Sequence, residues 1–189
     1  MKSLEILYDY IEEPEKAKIL IAQKPPLRLT LAGFLTGSFG LALWKCGEGA
    51  NVFFFFMAAG FFFLWDMGFS FLLAAVIDLF ISMSADSQVA ALNRPADSLF
   101  AYFGLADFCW ALAAPVAIFS RLGSWAYWPA FAALMGIGFL HLALKARGIR
   151  SVYGFSWILS WITLLLPYIL SAVFLVCLSF LAVGSFLLR

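Results

Sequence analysis

Charged side chains are scarce in this sequence of 189 residues: they make up 12% of it, whereas hydrophobic residues make up 65%. Soluble domains carry about 25% charged and about 45–50% apolar residues, so this composition excludes an ordinary soluble fold. The net charge is only +1, and no overall basic field favours nucleic-acid binding. Together with a mean hydropathy of +0.98, the composition indicates an integral membrane protein.

The sequence also lacks the motifs of the common enzyme classes. It has three cysteines without CxxC spacing and a single histidine, so neither a disulfide framework nor the usual zinc ligand set is expected. It contains no HExxH, GxSxG, GxGD or Walker A motif, which are the patterns that carry metalloprotease, serine-hydrolase and nucleotide chemistry. We therefore expect a protein that is not an enzyme and that uses no cofactor and no metal.

What the sequence does contain is long apolar stretches. A membrane span needs about 20 mainly apolar residues, and five stretches approach or exceed this length: residues 27–44, 52–83, 99–119, 125–144 and 154–188. The second is long enough to predict one tilted helix that protrudes from the bilayer. Pro167 predicts a kink in the fifth. The sequence thus predicts an all-α integral membrane protein, with a bundle of five transmembrane helices in residues 27–189.

The distribution of basic residues predicts the orientation of this bundle. With five spans, nine lysines and arginines fall on the side of the N-terminus and three on the other: Lys2, Lys16, Lys18, Lys24, Arg28, Arg94, Lys145, Arg147 and Arg150 against Lys45, Arg121 and Arg189. Positive residues collect on the cytoplasmic side. We therefore expect a cytoplasmic N-terminus and a C-terminus outside.

Residues 1–26 form a separate cytoplasmic segment that precedes the first span. The spacing of Leu4, Leu7, Tyr8 and Ile11 predicts an amphipathic helix. A second helix is expected from Pro14 to the Pro25-Pro26 break. Residues 1–15 hold one lysine against five acids, whereas residues 16–28 hold four basic residues and no acid. Two alternatives remain open: the segment packs on the inner surface of the bundle, or it binds a protein partner.

Small residues recur at the spacing that lets membrane helices approach closely. Gly33 and Gly37 form a GxxxG pair in the first span, and Ala113 and Ala117 repeat this spacing in the third. Packing among the spans of one chain is the interpretation that we favour. Association of several copies of the chain into a homo-oligomer is the alternative.

Four ionisable side chains lie within the predicted spans: Asp66, Asp78, Asp107 and His141. A charge at the bilayer centre costs at least about 2.5–3.5 kcal/mol, so such residues are usually paired, buried or functional. The alternating direction of the predicted spans can bring Asp66 and Asp107 to a similar depth in the membrane. It can bring Asp78 and His141 to a similar depth as well. No lysine or arginine is expected deep within a span as a counter-ion. The four residues therefore form either a proton or cation path or a set of neutral, hydrogen-bonded packing residues.

The layout of the chain resembles the Yip-domain family, the Rab-GTPase-interacting membrane proteins with many bacterial relatives. The resemblance covers nearly the whole chain and is carried by three stretches: "EEPEKAKILIAQKPP", "DSLFAYFGLADFCWALAAPVAIF" and "YGFSWILSWITLLLPYIL". The glycine and proline residues that contribute to the resemblance are Gly104, Pro115, Gly154 and Pro167. The chain has no DLYGP-like stretch of the eukaryotic members. The resemblance implies a five-span bundle without catalytic residues that binds partners or shapes membranes.

Two functions follow from these observations. The first is a non-enzymatic scaffold or partner-binding subunit in membrane organisation or trafficking, which would bind a protein in the membrane or at its cytoplasmic face. The second is a small proton-linked transporter, or a subunit of one, that uses Asp66 and Asp107. In either case we expect the protein to lie in the lipid bilayer of a bacterial inner membrane and to bind no nucleic acid.

Overall fold

The computed structural model describes residues 6, 8–10, 12, 14–46, 51–84 and 95–187, and every regular element among them is helical. The elements are α1 (Pro14–Gln23), α2 (Leu27–Lys45), α3 (Val52–Ser84), α4 (Pro95–Asp107), a 3₁₀ segment (Phe108–Leu112), α5 (Ala113–Phe119), a second 3₁₀ segment (Ser120–Leu122), α6 (Ser124–Tyr153) and α7 (Trp157–Leu187). The all-α class predicted from the sequence is confirmed for these residues.

Four of the described helical segments are long and apolar enough to cross a bilayer: Leu27–Lys45, Val52–Met83, Ala96–Leu122 and Ser124–Tyr153. The predicted fifth stretch, residues 154–188, contains a shorter apolar helical segment, Trp157–Val173. Large hydrophobic side chains on the outer face of α3, such as Phe53, Leu64 and Trp65, are exposed. A continuous apolar surface of this kind suits lipid rather than water.

Two of the helices differ from the expected spans. The third crosses as two α-helices joined by a 3₁₀ segment, directly after Asp107. The fourth continues about two and a half turns past residue 144, so residues 145–153 are helical and do not form the expected loop. The helix ends only at Gly154, which has a φ of 70° and caps the helix through its N–H to the carbonyl of Arg150. Glycine adopts this left-handed conformation without steric cost.

The helices pack in a continuous series. Helix α2 lies against α3 and α4, α4 also packs on α6, and α6 packs on α7. The main core forms where α1, α3, α4 and α6 meet, and it contains large buried side chains from each of them: Ile21, Ile77, Leu99, Phe103 and Ile149. This core lies at the end of the bundle against which α1 packs, which we call the α1 end.

The described part of the N-terminal segment is docked on the bundle. Ala17 and Ile21 of α1 are fully buried, and Tyr10 is nearly so. The Tyr10 hydroxyl donates a hydrogen bond to the carbonyl of Leu144 at 3.3 Å. Burial raises the pKa of this phenol above its usual value, so it remains a donor. Tyr10 and α1 thus pack against the bundle, while Leu4, Leu7 and Ile11 of the predicted amphipathic helix lie outside the described residues.

Glycines bring the backbone of α2 into direct contact with the third span. A Cβ added at Gly33 would lie 1.8 Å from the carbonyl oxygen of Gly104, and one at Gly40 would lie 2.0 Å from that of Trp110. At Gly37 an added Cβ would lie 2.8 Å from the carbonyl oxygen of Asp107. No larger residue fits at these positions without moving a helix. The GxxxG pair thus packs within the chain.

The alanines of the predicted packing motif are also in the interior. Ala113 and Ala117 are buried on α5, which packs against both α2 and α6. Their small side chains allow α5 to fit between these two longer helices.

We predict that Gly33→Ala destabilises the bundle, because its new methyl group overlaps a backbone carbonyl that cannot rotate away. Overpacking of this kind costs about 1–3 kcal/mol or more. The loss should appear as a lower midpoint of thermal unfolding for the purified protein in detergent. Gly60→Ala is the matched control, because a Cβ at Gly60 meets no atom within 4 Å. Equal midpoints for the two variants would contradict the close contact between α2 and α4.

Candidate intramembrane charge cluster

The side chain of Lys145 lies in the interior of the bundle, in a helix long and apolar enough to cross the membrane. The residue is 1% exposed. Its Nζ atom lies 3.7 Å from Oδ1 of Asp66 and 3.8 Å from Oδ1 of Asp107. It also donates a hydrogen bond of 3.0 Å to Oγ of Ser70. Together with His141, which contacts Asp107, these residues form what we call the charge cluster.

Three helices contribute side chains to the charge cluster. Two of these helices contribute two side chains each, spaced one helical turn apart. Residues four apart lie on the same face of a helix. Asp66 and Ser70 share one face of α3, where the Ser70 hydroxyl also lies 3.5 Å from Oδ1 of Asp66. His141 and Lys145 share one face of α6. Asp107 is the last residue of α4 and reaches the cluster from between these two helices.

Asp107 is the most enclosed member of the cluster. It is fully buried, and its Oδ1 atom contacts both Nε2 of His141 and Nζ of Lys145. Its other oxygen, Oδ2, is buried without a hydrogen-bond partner among the described residues. The main chain changes from an α-helix to a 3₁₀ helix immediately after it, at Phe108. Asp107 therefore combines an unsatisfied acceptor with an irregular position in the helix.

Aromatic rings form part of the wall around these polar groups. The Phe103 ring centroid lies 5.4 Å from Nζ of Lys145, within the range of a cation–π contact. Trp110 meets His141 edge to face, with 5.6 Å between ring centroids. These contacts keep the imidazole and the ammonium in apolar surroundings. Interactions between charges are stronger there than at a water-exposed surface.

Helix α2 indicates the depth of the cluster. It has the length of a single thin span, about 27 Å at 1.5 Å per residue. Gly37, which faces the main chain of Asp107, lies about 15 Å from the start of α2 by the same rise. The charge cluster therefore lies level with the middle of α2, and isolated charges are most costly at the middle of an apolar layer.

Of the four ionisable residues singled out from the sequence, three come together and one does not. Asp66, Asp107 and His141 all belong to the cluster. Asp78 lies about 18 Å further along α3 than Asp66 and accepts a hydrogen bond of 2.9 Å from the Tyr153 hydroxyl. The pairing of Asp66 with Asp107 by depth agrees with this arrangement. The pairing of Asp78 with His141 is wrong, because His141 contacts Asp107 instead.

The expectation that no lysine lies deep in a span is also wrong. A fourth span that ends at residue 144 puts Lys145 in the loop that follows it. Residues 145–153 contain no proline, and their glycine, Gly148, faces Tyr102 so closely that an added Cβ would lie 2.8 Å away. The signal that reveals Lys145 is its spacing of four from His141, which places both on one face of a continued helix.

The charges of the cluster do not balance unless it holds an additional proton. Two carboxylates face one ammonium and one imidazole, so the net charge is −1 when the imidazole is neutral. One proton more makes the cluster neutral. Burial of an uncompensated charge is costly, so the apolar surroundings favour the neutral form of the cluster. The described residues include no group of three or more His, Cys, Asp or Glu side chains suited to a metal ion.

Comparison with known proteins finds no match: no family model, curated protein or solved structure matches the chain. The Yip-domain resemblance thus stays a prediction.

We predict that Lys145→Met strongly destabilises the protein, because it leaves two carboxylates close together without their cation. Loss of one partner of a buried ion pair costs about 3–5 kcal/mol. Reversible unfolding in mixed micelles measures this loss. Adding Asp66→Asn and Asp107→Asn to Lys145→Met should recover much of the stability, since no buried charge is then left unpaired.

The matched control for this prediction is Lys24→Met, which removes an exposed lysine. It should leave the free energy of unfolding nearly unchanged. If the two variants have the same free energy of unfolding, the ammonium of Lys145 does not stabilise the two carboxylates.

Proposed function

We propose that the protein is a proton-linked membrane transporter, or a subunit of one, in which the charge cluster binds and releases a proton. The observation that carries this proposal is the burial of Lys145 between Asp66 and Asp107, at the middle of the bundle. Ionisable residues inside membrane helices mark ion paths and proton relays more often than they serve packing. A bundle held together for stability alone is better served by apolar side chains at these positions.

The cluster suggests how the proton is held. In the neutral form the additional proton is shared by Asp107 and His141, which contact each other. When this proton leaves, the ammonium of Lys145 is attracted more strongly to the two carboxylates and limits the cost of the net negative charge. The hydroxyl of Ser70 contacts both Lys145 and Asp66, and so it links the two sides of the cluster.

Asp66 is the member through which the proton enters and leaves. Its side chain is 20% exposed, whereas those of Asp107 and Lys145 are at most 2% exposed. The 3₁₀ segment Phe108–Leu112 supplies the conformational element, since a 3₁₀ stretch within a longer helix often marks a hinge. A change in charge at Asp107 acts directly on the start of this segment. Protonation is thereby coupled to the geometry of the third span.

The topology that we propose for this transporter has five spans, a cytoplasmic N-terminus and an outer C-terminus, in a bacterial inner membrane. Four candidate spans and the 31 residues of α7 support the number of spans. Arg147 and Arg150, which lie at the same end of the bundle as α1, support the orientation through the positive-inside rule.

The scaffold or partner-binding function predicted from the sequence remains the second candidate. The observation that favours it is the outward face of α1, where Ile19 and Leu20 are exposed while Ala17 and Ile21 are buried. Such a face suits a protein partner or the membrane surface. Because Tyr10 and α1 are docked on the bundle, it is this outer face of α1 that the described part of the N-terminal segment offers for the role.

We predict that Asp107→Asn abolishes proton flux into proteoliposomes, because a neutral amide leaves Asp66 and Lys145 as a balanced pair that needs no further proton. Flux is measured with an internal pH-sensitive dye after an imposed pH gradient, with valinomycin and potassium to dissipate the potential. Asp78→Asn is the matched control, because Asp78 is a carboxylate of α3 outside the charge cluster.

Equal flux through folded Asp107→Asn protein and the unaltered protein would overturn this proposal. Flux through the unaltered protein that does not exceed that of empty liposomes would overturn a proton-conducting role and favour the scaffold function. Monodisperse elution and an unchanged helical circular dichroism spectrum establish that the variants are folded.

We also predict that a cysteine at position 189 is accessible only from outside the cell. The test uses Arg189→Cys in a chain whose three native cysteines, Cys46, Cys109 and Cys177, are replaced by alanine. A membrane-impermeant maleimide should label intact spheroplasts. Labelling that requires permeabilised membranes would refute a topology with an odd number of spans.

A further inference from the structure

A cavity of about 690 Å³ opens at the α1 end of the bundle, between α1, the last turns of α6 and the start of α7. We call it the basic pocket, because three cationic side chains line it: Lys18, Arg147 and Arg150. Among the described residues that line it, none is acidic. Its volume is in the range of small-molecule sites, which is about 300–1,000 Å³.

Aromatic rings hold the two guanidinium groups of the pocket in place. Arg150 lies 5.8 Å from the ring centroid of Trp157, and Arg147 lies 5.9 Å from that of Tyr10. Contact with a ring restricts an arginine side chain while leaving its N–H groups able to donate hydrogen bonds. Arginine is well suited to phosphate, because its planar fork matches two phosphate oxygens.

The pocket lies at the depth of lipid headgroups. Arg150 is about 13 Å further along α6 than His141, the residue of that helix that contacts Asp107. The end of the helix at Tyr153 is about 18 Å further than His141. Half of the hydrocarbon core is about 15 Å thick. Because the charge cluster lies level with the middle of α2, the basic pocket is near the boundary between hydrocarbon and headgroups. Trp157 at its edge is typical of this boundary.

The surface beside the pocket is apolar. Ile158 and Leu159 follow Trp157 on α7 and are exposed on the outside of the bundle. An acyl chain can lie along this surface while the phosphate of the same molecule occupies the pocket. A soluble phosphate compound would gain nothing from these side chains.

We propose that the basic pocket binds the phosphate-bearing headgroup of an anionic phospholipid, with its acyl chains against the start of α7. This site is separate from the charge cluster and does not depend on proton transport. Through Lys18 and Arg150 the bound lipid would join α1 to α6. The anionic inner leaflet would thereby hold the N-terminal segment against the bundle.

The experiment compares lipid binding by two charge-matched variants of the full chain. Lys18→Gln with Arg150→Gln removes two cations from the pocket. Lys24→Gln with Arg28→Gln removes two exposed cations from the same end of the bundle but outside the pocket. Arg147 is left unchanged, because it also contacts Tyr10. Native mass spectrometry of detergent-solubilised protein, titrated with phosphatidylglycerol or phosphatidylcholine, counts the bound lipids.

We expect one phosphatidylglycerol to bind in preference to phosphatidylcholine. The pocket variant should bind it about 25-fold more weakly, since each basic residue near an anionic headgroup contributes about five-fold. The control variant should bind it within about two-fold of the unaltered protein, because its two cations lie outside the pocket and act on the headgroup only through screened, long-range attraction. Equal weakening in both variants would overturn the proposal in favour of general surface charge. No preference for phosphatidylglycerol would overturn it as well.

A second titration separates lipid from soluble phosphate. Inorganic phosphate and glycerol 3-phosphate are added at constant ionic strength, and the midpoint of thermal unfolding is followed in the unaltered protein and in the pocket variant. We expect no stabilisation specific to the unaltered protein. A pocket-dependent rise with either compound, without phosphatidylglycerol binding, would show that the ligand is a soluble phosphate and would refute the lipid assignment.

Discussion

The ammonium of Lys145 between two carboxylates is the interaction on which the interior of the bundle depends. Each group alone would be costly in an apolar layer, and each is tolerable only because the others are within contact distance. This requirement fixes the rotation of α3, α4 and α6 about their axes, because all three must present their polar residues to the same point. Hydrophobic packing, by contrast, tolerates small rotations of a helix in lipid.

The glycine contacts of α2 and the charge cluster constrain each other. The carbonyl of Asp107 faces Gly37 on one side of α4, while its carboxylate meets His141 and Lys145 on the other. A shift of α4 that relaxed one contact would disturb the other. The 3₁₀ segment after Asp107 begins where these two requirements meet, and the rings of Trp110 and Phe103 line the site beside it.

Composition and apolar stretches were sufficient to predict the helical class, the approximate positions of four candidate spans and three members of the charge cluster. They were not sufficient to predict its cation. Hydropathy ends a span where charged residues begin, and "KARGIR" after residue 144 looks like a loop by that criterion. Helix formation follows backbone conformation instead, and nothing before Gly154 stops it. The separation of Asp78 from His141 depends on contacts between helices, which no local pattern contains.

A single residue outside the regular helices, Gly123, separates the third candidate span from the fourth, and its φ of 141° suits only glycine. So short a link makes the two candidate spans a helical hairpin. The hairpin carries Asp107 on one arm and both His141 and Lys145 on the other. An oppositely charged pair within one hairpin costs less to transfer into hydrocarbon than two isolated charges, whereas Asp66, on the preceding helix, meets its cation only when α3 packs against this hairpin.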